Sequence, residues 1–268
     1  MDDNQEFITN CRLKLSRQNQ YEFSFASDLG TRKEQEDYLG IISFENSISA
    51  CICDGMGGLD CGALASEIAV NQLIDEIDNV DFNAIDNSPD FYLDILDKLD
   101  NAVHQMKYPD GRRINAGSTL VSVFIERKKL RWLAVGDSSI FLIRNGSACQ
   151  INKFHNYQAK LDDQLSKGLI TETDYEEESH RGHALTSYIG IGGISLFDAS
   201  KMPIELESED IVLLCSDGIT GYISQNDLAD IIDGYNAKKA VDRLMGFLSE
   251  KSRGKSQDNA TIILIKIN

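Results

Sequence analysis

At 268 residues the chain is long enough to bury a sizeable core, as one large domain or two small ones. Its formal net charge is −17, from 43 acidic against 26 basic residues with no basic cluster, which sets it against nucleic-acid backbones and anionic lipid and favours divalent cations or basic protein surfaces. Hydrophobic residues make up 42% and prolines number three, so a compact fold is expected, and no apolar run nears the ~20 residues that span a bilayer.

The opening MDDNQEFITN is acidic and polar where a secretory leader carries a basic segment and then an apolar one, so a cytoplasmic protein with reduced thiols is expected. Residues 1–20 lack a sustained period and read as a loosely held arm, with an edge strand or short helix as alternatives; a single domain is expected over 21–268. YEFSFASDLG, YLGIISF and ISACIC then read as strands separated by turn residues. Cys51 and Cys53, two apart, share one face of the third and are read as buried, a zinc site being the lesser alternative.

From about Gly62 the period changes. Ala65, Ile68, Ala69, Leu73 and Ile77 fall on one face of a helix, and Tyr92, Ile95, Leu96, Leu99, Val103 and Met106 on one face of a second, whose start is marked by Ser88 and Pro89. The two are expected to form an antiparallel pair. STLVSVFIE, LRWLAV and SIFLIRNG are strands, and Asn145-Gly146 predicts a tight hairpin into SACQIN. About residues 154–182 are polar and acidic and predict an inserted flap; the run Glu172 to Glu178 is read as solvated rather than as a device for steering basic substrates. His180 and His183 are assigned no metal role. IVLLCS is a strand, Gln225–Asp233 and Ala237–Leu248 are helical, and TIILIKI closes a sheet. The expected class is α+β, a four-layer α-β-β-α sandwich of two antiparallel sheets flanked by helical pairs.

The informative feature is where certain acids fall. Glu36 and Asp37 precede YLGIISF, Asp54 follows ISACIC, Asp137 lies past WLAVG, Asp217 ends IVLLCS, and Asp258 sits two residues before TIILIKI. A carboxylate at a buried strand end needs a cation or hydrogen-bond donors to offset its desolvation. Oxygen ligands without paired histidines or cysteines suit Mg²⁺ or Mn²⁺ rather than zinc. Taken one at a time, Asp54-Gly55, Gly136-Asp137 and Asp217-Gly218 are ordinary turns; the ordered set points to a metal site.

RKEQED (32–37), DGMGG (54–58), GSTL (117–120), VGDSS (135–139), CSDG (215–218) and DNAT (258–261) stand in the order of the metal-dependent protein phosphatase family, type 2C, which the chain resembles from about residue 21 to its end. DGMGG resembles the bacterial form. The resemblance implies a serine/threonine phosphatase with two core Mn²⁺ or Mg²⁺ ions, phosphorus being attacked directly by a water that bridges them, and a phosphoprotein as substrate, with a cognate kinase as a further partner. It implies that Asp54, with the Gly55 carbonyl, bridges the ions, that Asp217 and Asp258 complete the first ion's shell, and that Asp137 serves a weak third ion. Glu36, Asp37 and Asn259 would act around that shell, and Arg32 would hold the phosphate, its other reading being a solvated surface base.

Two departures bear on those roles. Met56 stands where some relatives carry a histidine, and Gly221 where many carry an aspartate for the third ion. The rival classes are a pseudophosphatase or regulatory phosphoprotein-binding module, which predicts gaps among the core ligands, and a hydrolase of small phosphoesters, which shares the chemistry.

Overall fold

A computed structural model describes residues 10–17, 21–56, 61–79 and 91–268. The chain runs through β1 (Cys11–Leu15), β2 (Glu22–Asp28), β3 (Asp37–Ser43) and β4 (Ser47–Asp54), then helices α1 (Gly62–Asp78) and α2 (Phe91–His104). Four strands follow: β5 (Leu120–Glu126), β6 (Lys129–Val135), β7 (Ser139–Arg144) and β8 (Ser147–Gln150). Short helices α3 (Tyr157–Ser166) and α4 (Glu172–Glu178) precede β9 (Asp198–Ala199), β10 (Ile204–Glu205) and β11 (Ile211–Cys215). A single turn, α5 (Asp217–Thr220), then α6 (Gln225–Ile232), α7 (Ala237–Ser252) and β12 (Ala260–Lys266) complete the described chain.

The strands make two sheets. One has the order β1-β3-β4-β5-β6-β10, with β9 also beside β6; the other has the order β2-β12-β11-β7-β8. Three apolar layers follow from strand alternation. On β4, Cys51 and Cys53 face α1 and α2, while Ala50 and Ile52 face the other sheet. On β12, Ile263 and Ile265 meet them across the sandwich, and Ile262 and Leu264 pack under α6 and α7. Because helices cover both outer faces, central strands are apolar on both sides and read as continuous hydrophobic runs. The result is the expected α-β-β-α sandwich.

Local chemistry explains the helices. Ala65, Ala69, Leu73 and Ile77 of α1 are buried, and a side chain at Gly40 of β3 would meet Val70 at 2.7 Å, so the glycine lets the helix sit close on its sheet. Ser224 and Asp227 form a reciprocal capping box at the start of α6, and the Asn236 side chain accepts from the Lys239 N–H at the start of α7. Asn145 and Gly146 both have positive φ, 52° and 72°, as the predicted tight turn requires.

The structure departs from the sequence reading in places. Among the described residues, regular structure is present from Cys11 rather than from near Tyr21: β1 pairs with β3, and this edge pairing is parallel whereas the other described pairings are antiparallel. Its five residues are too short to show a period, and it is tied down by tertiary contacts: Arg12 donates to the Asn71 carbonyl at 2.8 Å and pairs with Asp75, and Lys14 pairs with Asp78. Within the flap region the acidic run is the helix α4, opened by a Thr171–Asp174 capping box and burying none of its residues. The predicted Ser88–Pro89 helix start lies outside the described residues. No helix among them is long and apolar enough to cross a membrane.

Candidate active site

Pairing register brings the acids together. Asp37, at the start of β3, lies opposite Asp54, at the end of β4. From the second sheet, Asp217 opens α5 directly beyond β11, and Asp258 sits just before β12, the strand that pairs with β11. Asp137 occupies the turn between β6 and β7, so it joins the two sheets at the same end.

These carboxylates raise one another's proton affinity. Burial, then Asp37, Asp217, Asp137 and Asp258, hold Asp54 well above the usual carboxylate range. Burial is the first cause for Asp37 too, which is pushed up to about 7, with Asp217 and Asp258 adding to it. Asp217 is pushed up to about 6 by burial and by Asp137 and Asp258. Asp137 and Glu36 are raised by burial, against the pull of Asn156 on the first and of Arg32 on the second. Such a cluster needs positive charge.

The donors present do not supply enough of it. Asp37 Oδ2 accepts from the Ser216 hydroxyl at 2.8 Å, but its buried Oδ1 has no partner, and neither does Asp217 Oδ1. Two orphaned carboxylate oxygens at the meeting of the sheets fit an oxygen-preferring divalent cation in chemistry. The fit is not a finished cage: among the described residues no three His, Cys, Asp or Glu groups stand close enough together to hold an ion. Asp258 Oδ2 is paired with Arg32 Nη2 at 2.5 Å.

The surrounding motifs fasten this geometry. Asn259 clamps the loop before β3: its Oδ1 accepts the Glu36 N–H at 2.8 Å, and its Nδ2 donates to the carbonyls of Leu29 and Glu34 at 3.0 and 3.1 Å. The Asp54 N–H donates to Thr119 Oγ1 at 3.1 Å, which meets Ser138 Oγ at 2.8 Å, so GSTL and VGDSS position the end of β4. A side chain at Gly218 would lie 2.0 Å from the Asn259 carbonyl and one at Gly55 2.3 Å from the Gly62 carbonyl, which is why glycine follows both aspartates.

Sequence reasoning passed over several supporting residues. Gln35 accepts the Asp37 N–H at 3.0 Å and donates to Ser27 Oγ at 2.8 Å, and Ser27 in turn meets Thr261 at 2.9 Å. Asn156 donates to Asp137 Oδ2 at 3.4 Å. Gln35, Ser216 and Thr261 belong to RKEQED, CSDG and DNAT, so motif membership was their signal; Ser27 and Asn156 carried none. Met56 packs over Gly117, where an added side chain would meet its Cε at 2.0 Å and Tyr188 at 2.7 Å.

Comparison with known proteins gives a consistent result. A sequence profile described as Protein phosphatase 2C matches residues 27–259. Protein phosphatase PhpP of Streptococcus pneumoniae is 25% identical over 249 residues, spanning 92% of this chain and 98% of that protein. Serine/threonine phosphatase stp of Listeria welshimeri is 26% identical over 249 residues, spanning 91% and 95%. Among solved structures, the S. agalactiae serine/threonine phosphatase superposes with a TM-score of 0.78 at 22% identity, covering 92% of this chain and 100% of that one. Stp1 from Staphylococcus aureus superposes with a TM-score of 0.75 at 22% identity, covering 96% and 97%. These two show likeness of fold.

Proposed function

The chain belongs to the protein phosphatase 2C family, and from that premise we propose that it is a metal-dependent hydrolase releasing phosphate from serine and threonine side chains of proteins. The observation that carries the reading is the convergence, at one end of the sandwich, of acids from both sheets, with Asp37 Oδ1 and Asp217 Oδ1 buried and unpartnered. In this reading Asp54, Asp217 and Asp258, with the Gly55 carbonyl, hold two Mn²⁺ or Mg²⁺ ions. When bound, the ions supply the charge that offsets the phosphoryl oxygens and the acidity that activates an attacking water.

The protein's own groups do the rest. Asp37 and Glu36 orient the ligand shell, and Asn259 keeps their loop against β12. Arg32, half-exposed and within reach of Asp258, exchanges that carboxylate for the substrate phosphate, whose oxygens a guanidinium fork can hold in pairs. Met56 offers no proton, so the leaving oxygen takes one from another source. The buried thiols are excluded as nucleophiles: burial pushes Cys51 up to about 12 and holds Cys53 and Cys215 far above the ordinary thiol range. A phosphoprotein substrate implies a kinase as the counterpart of this enzyme.

The deciding experiment is phosphate release from phosphoserine, phosphothreonine and phosphotyrosine peptides and from small phosphoesters, with Mn²⁺, with Mg²⁺ and with EDTA. Turnover of the first two peptides that EDTA abolishes is expected. Peptide binding without turnover would favour the pseudophosphatase alternative, and turnover confined to small esters the metabolite one.

Asp137 would bind a third ion weakly, because Gly221 brings no ligand. Gly221 has φ of −63°, open to any residue, and an added Cβ would meet only the Asp217 carbonyl, at 3.3 Å. Gly221→Asp is therefore expected to lower the Mn²⁺ concentration for half-maximal turnover by about tenfold, through one more anionic ligand. A superimposable metal titration would remove Gly221 from the account.

A further inference from the structure

A second concave feature lies away from the acids. A cavity of about 1250 Å³ opens between α3, β6 and the segment 196–203 that includes β9. It exceeds the roughly 300–1,000 Å³ typical of small-molecule pockets, so its size suits several residues of a peptide.

Its charge runs against that of the chain. Lys153, Lys160 and Lys201 line it, with two acids, Asp163 and Asp198, among the described lining residues, in a protein of net charge −17. Both acids are already engaged. Asp163 pairs with Lys167 at 2.7 Å, and Asp198 Oδ2 accepts from Trp132 Nε1–H at 2.9 Å and the Lys153 N–H at 3.2 Å. Lys160 lies 5.5 Å from the Tyr157 ring centroid, and none of the three lysine side chains has a carboxylate within ion-pair distance among the described residues. The floor and rim are apolar, with Phe154 and Phe197 lining the cavity and Leu196 and Met202 standing 46% and 78% exposed at its edge. A basic lining on an apolar floor is complementary to a segment that alternates acidic with large apolar residues.

The cavity also shares a wall with the candidate active site. His155 and Asn156 line it. The His155 N–H donates to the Gly136 carbonyl at 2.8 Å, the Gly136 N–H returns to His155 Nδ1 at 3.2 Å, and Asn156 reaches Asp137. A chain seated in the cavity therefore lies against the residues that hold the turn bearing Asp137.

We infer that this cavity seats an acidic, apolar segment of the phosphoprotein substrate, an inference that rests on the phosphatase reading for the word substrate. The test uses a labelled, unphosphorylated peptide alternating Glu with Leu and Phe, its lysine counterpart, and a phosphothreonine peptide carrying the acidic flank, with p-nitrophenyl phosphate as the small substrate. By fluorescence anisotropy the acidic peptide is expected to bind and the lysine peptide not to. Affinity should fall about tenfold in the Lys153→Glu/Lys201→Glu double variant, and likewise in Ala159→Trp, which narrows the cavity without changing charge. With the wild-type enzyme, the unphosphorylated acidic peptide should raise the KM for the flanked phosphopeptide and leave p-nitrophenyl phosphate hydrolysis unaffected. Equal binding of acidic and lysine peptides, retention of affinity in both variants, or equal inhibition of the two substrates would each overturn the proposal. Absence of any p-nitrophenyl phosphate turnover would count against the catalytic reading, while anisotropy alone still decides whether the cavity takes an acidic peptide.

Discussion

Asp54→Asn is expected to reduce Mn²⁺-dependent phosphate release from a phosphopeptide by about a thousandfold, while making the metal-free protein more resistant to heat at a pH of about 8. Asp54 is buried and feels four carboxylates, Asp37 opposite it in register and Asp217, Asp137 and Asp258, so its charge is strongly opposed by its surroundings and a shared cation would relieve it. An amide keeps the shape and removes the charge. Function and stability should then move in opposite directions, which a folding defect cannot produce. Phosphate release at saturating Mn²⁺ and a melt in EDTA give the two readouts; near-normal turnover would sink the metal assignment, and a lower melting temperature would sink the electrostatic account.

Stripped of metal, the wild-type protein is expected to lose stability as pH rises from about 4 to about 7, the reverse of ordinary acid denaturation. The sign follows from the raised values. Asp37 moves from 3.8 to about 7 and Asp217 from 3.8 to about 6, so between those limits the unfolded chain has released protons that the folded chain still holds. Stability contributed by these groups is complete below the unfolded value and is lost as pH climbs through the folded ones. The combined effect is on the order of a few kcal/mol, a large part of a typical domain's margin. Mn²⁺ should restore the lost stability and do so most at the alkaline end, because it replaces the protons. Melting temperatures across pH in EDTA and in Mn²⁺ check this, and a flat EDTA profile would show that the acids are relieved in some other way.

Much of the fold was legible in the chain. Hydrophobic period marked every long strand and the helices that cover the sheets, because each of those elements buries a regular stripe. β1, β9 and β10 escaped, since two to five residues carry no period and these strands exist through the neighbours they pair with. The acidic run Glu172 to Glu178 forms a helix through the Thr171–Asp174 capping box, with no buried stripe to announce it.

For the site, sequence by itself determined which acids stand at strand ends and that Asp54, Asp137 and Asp217 each adjoin a glycine able to turn sharply, because strand length and glycine position are local properties. Only the tertiary structure decided that acids more than two hundred positions apart face one another, that Asp37 Oδ1 and Asp217 Oδ1 are left without donors, and that Arg32 rests on Asp258. Register between strands and the stacking of two sheets fix those distances, and neither is written in the spacing of residues along one strand. The same holds for the basic cavity, whose lysines come from segments that look like unrelated surface charge until the chain closes around them.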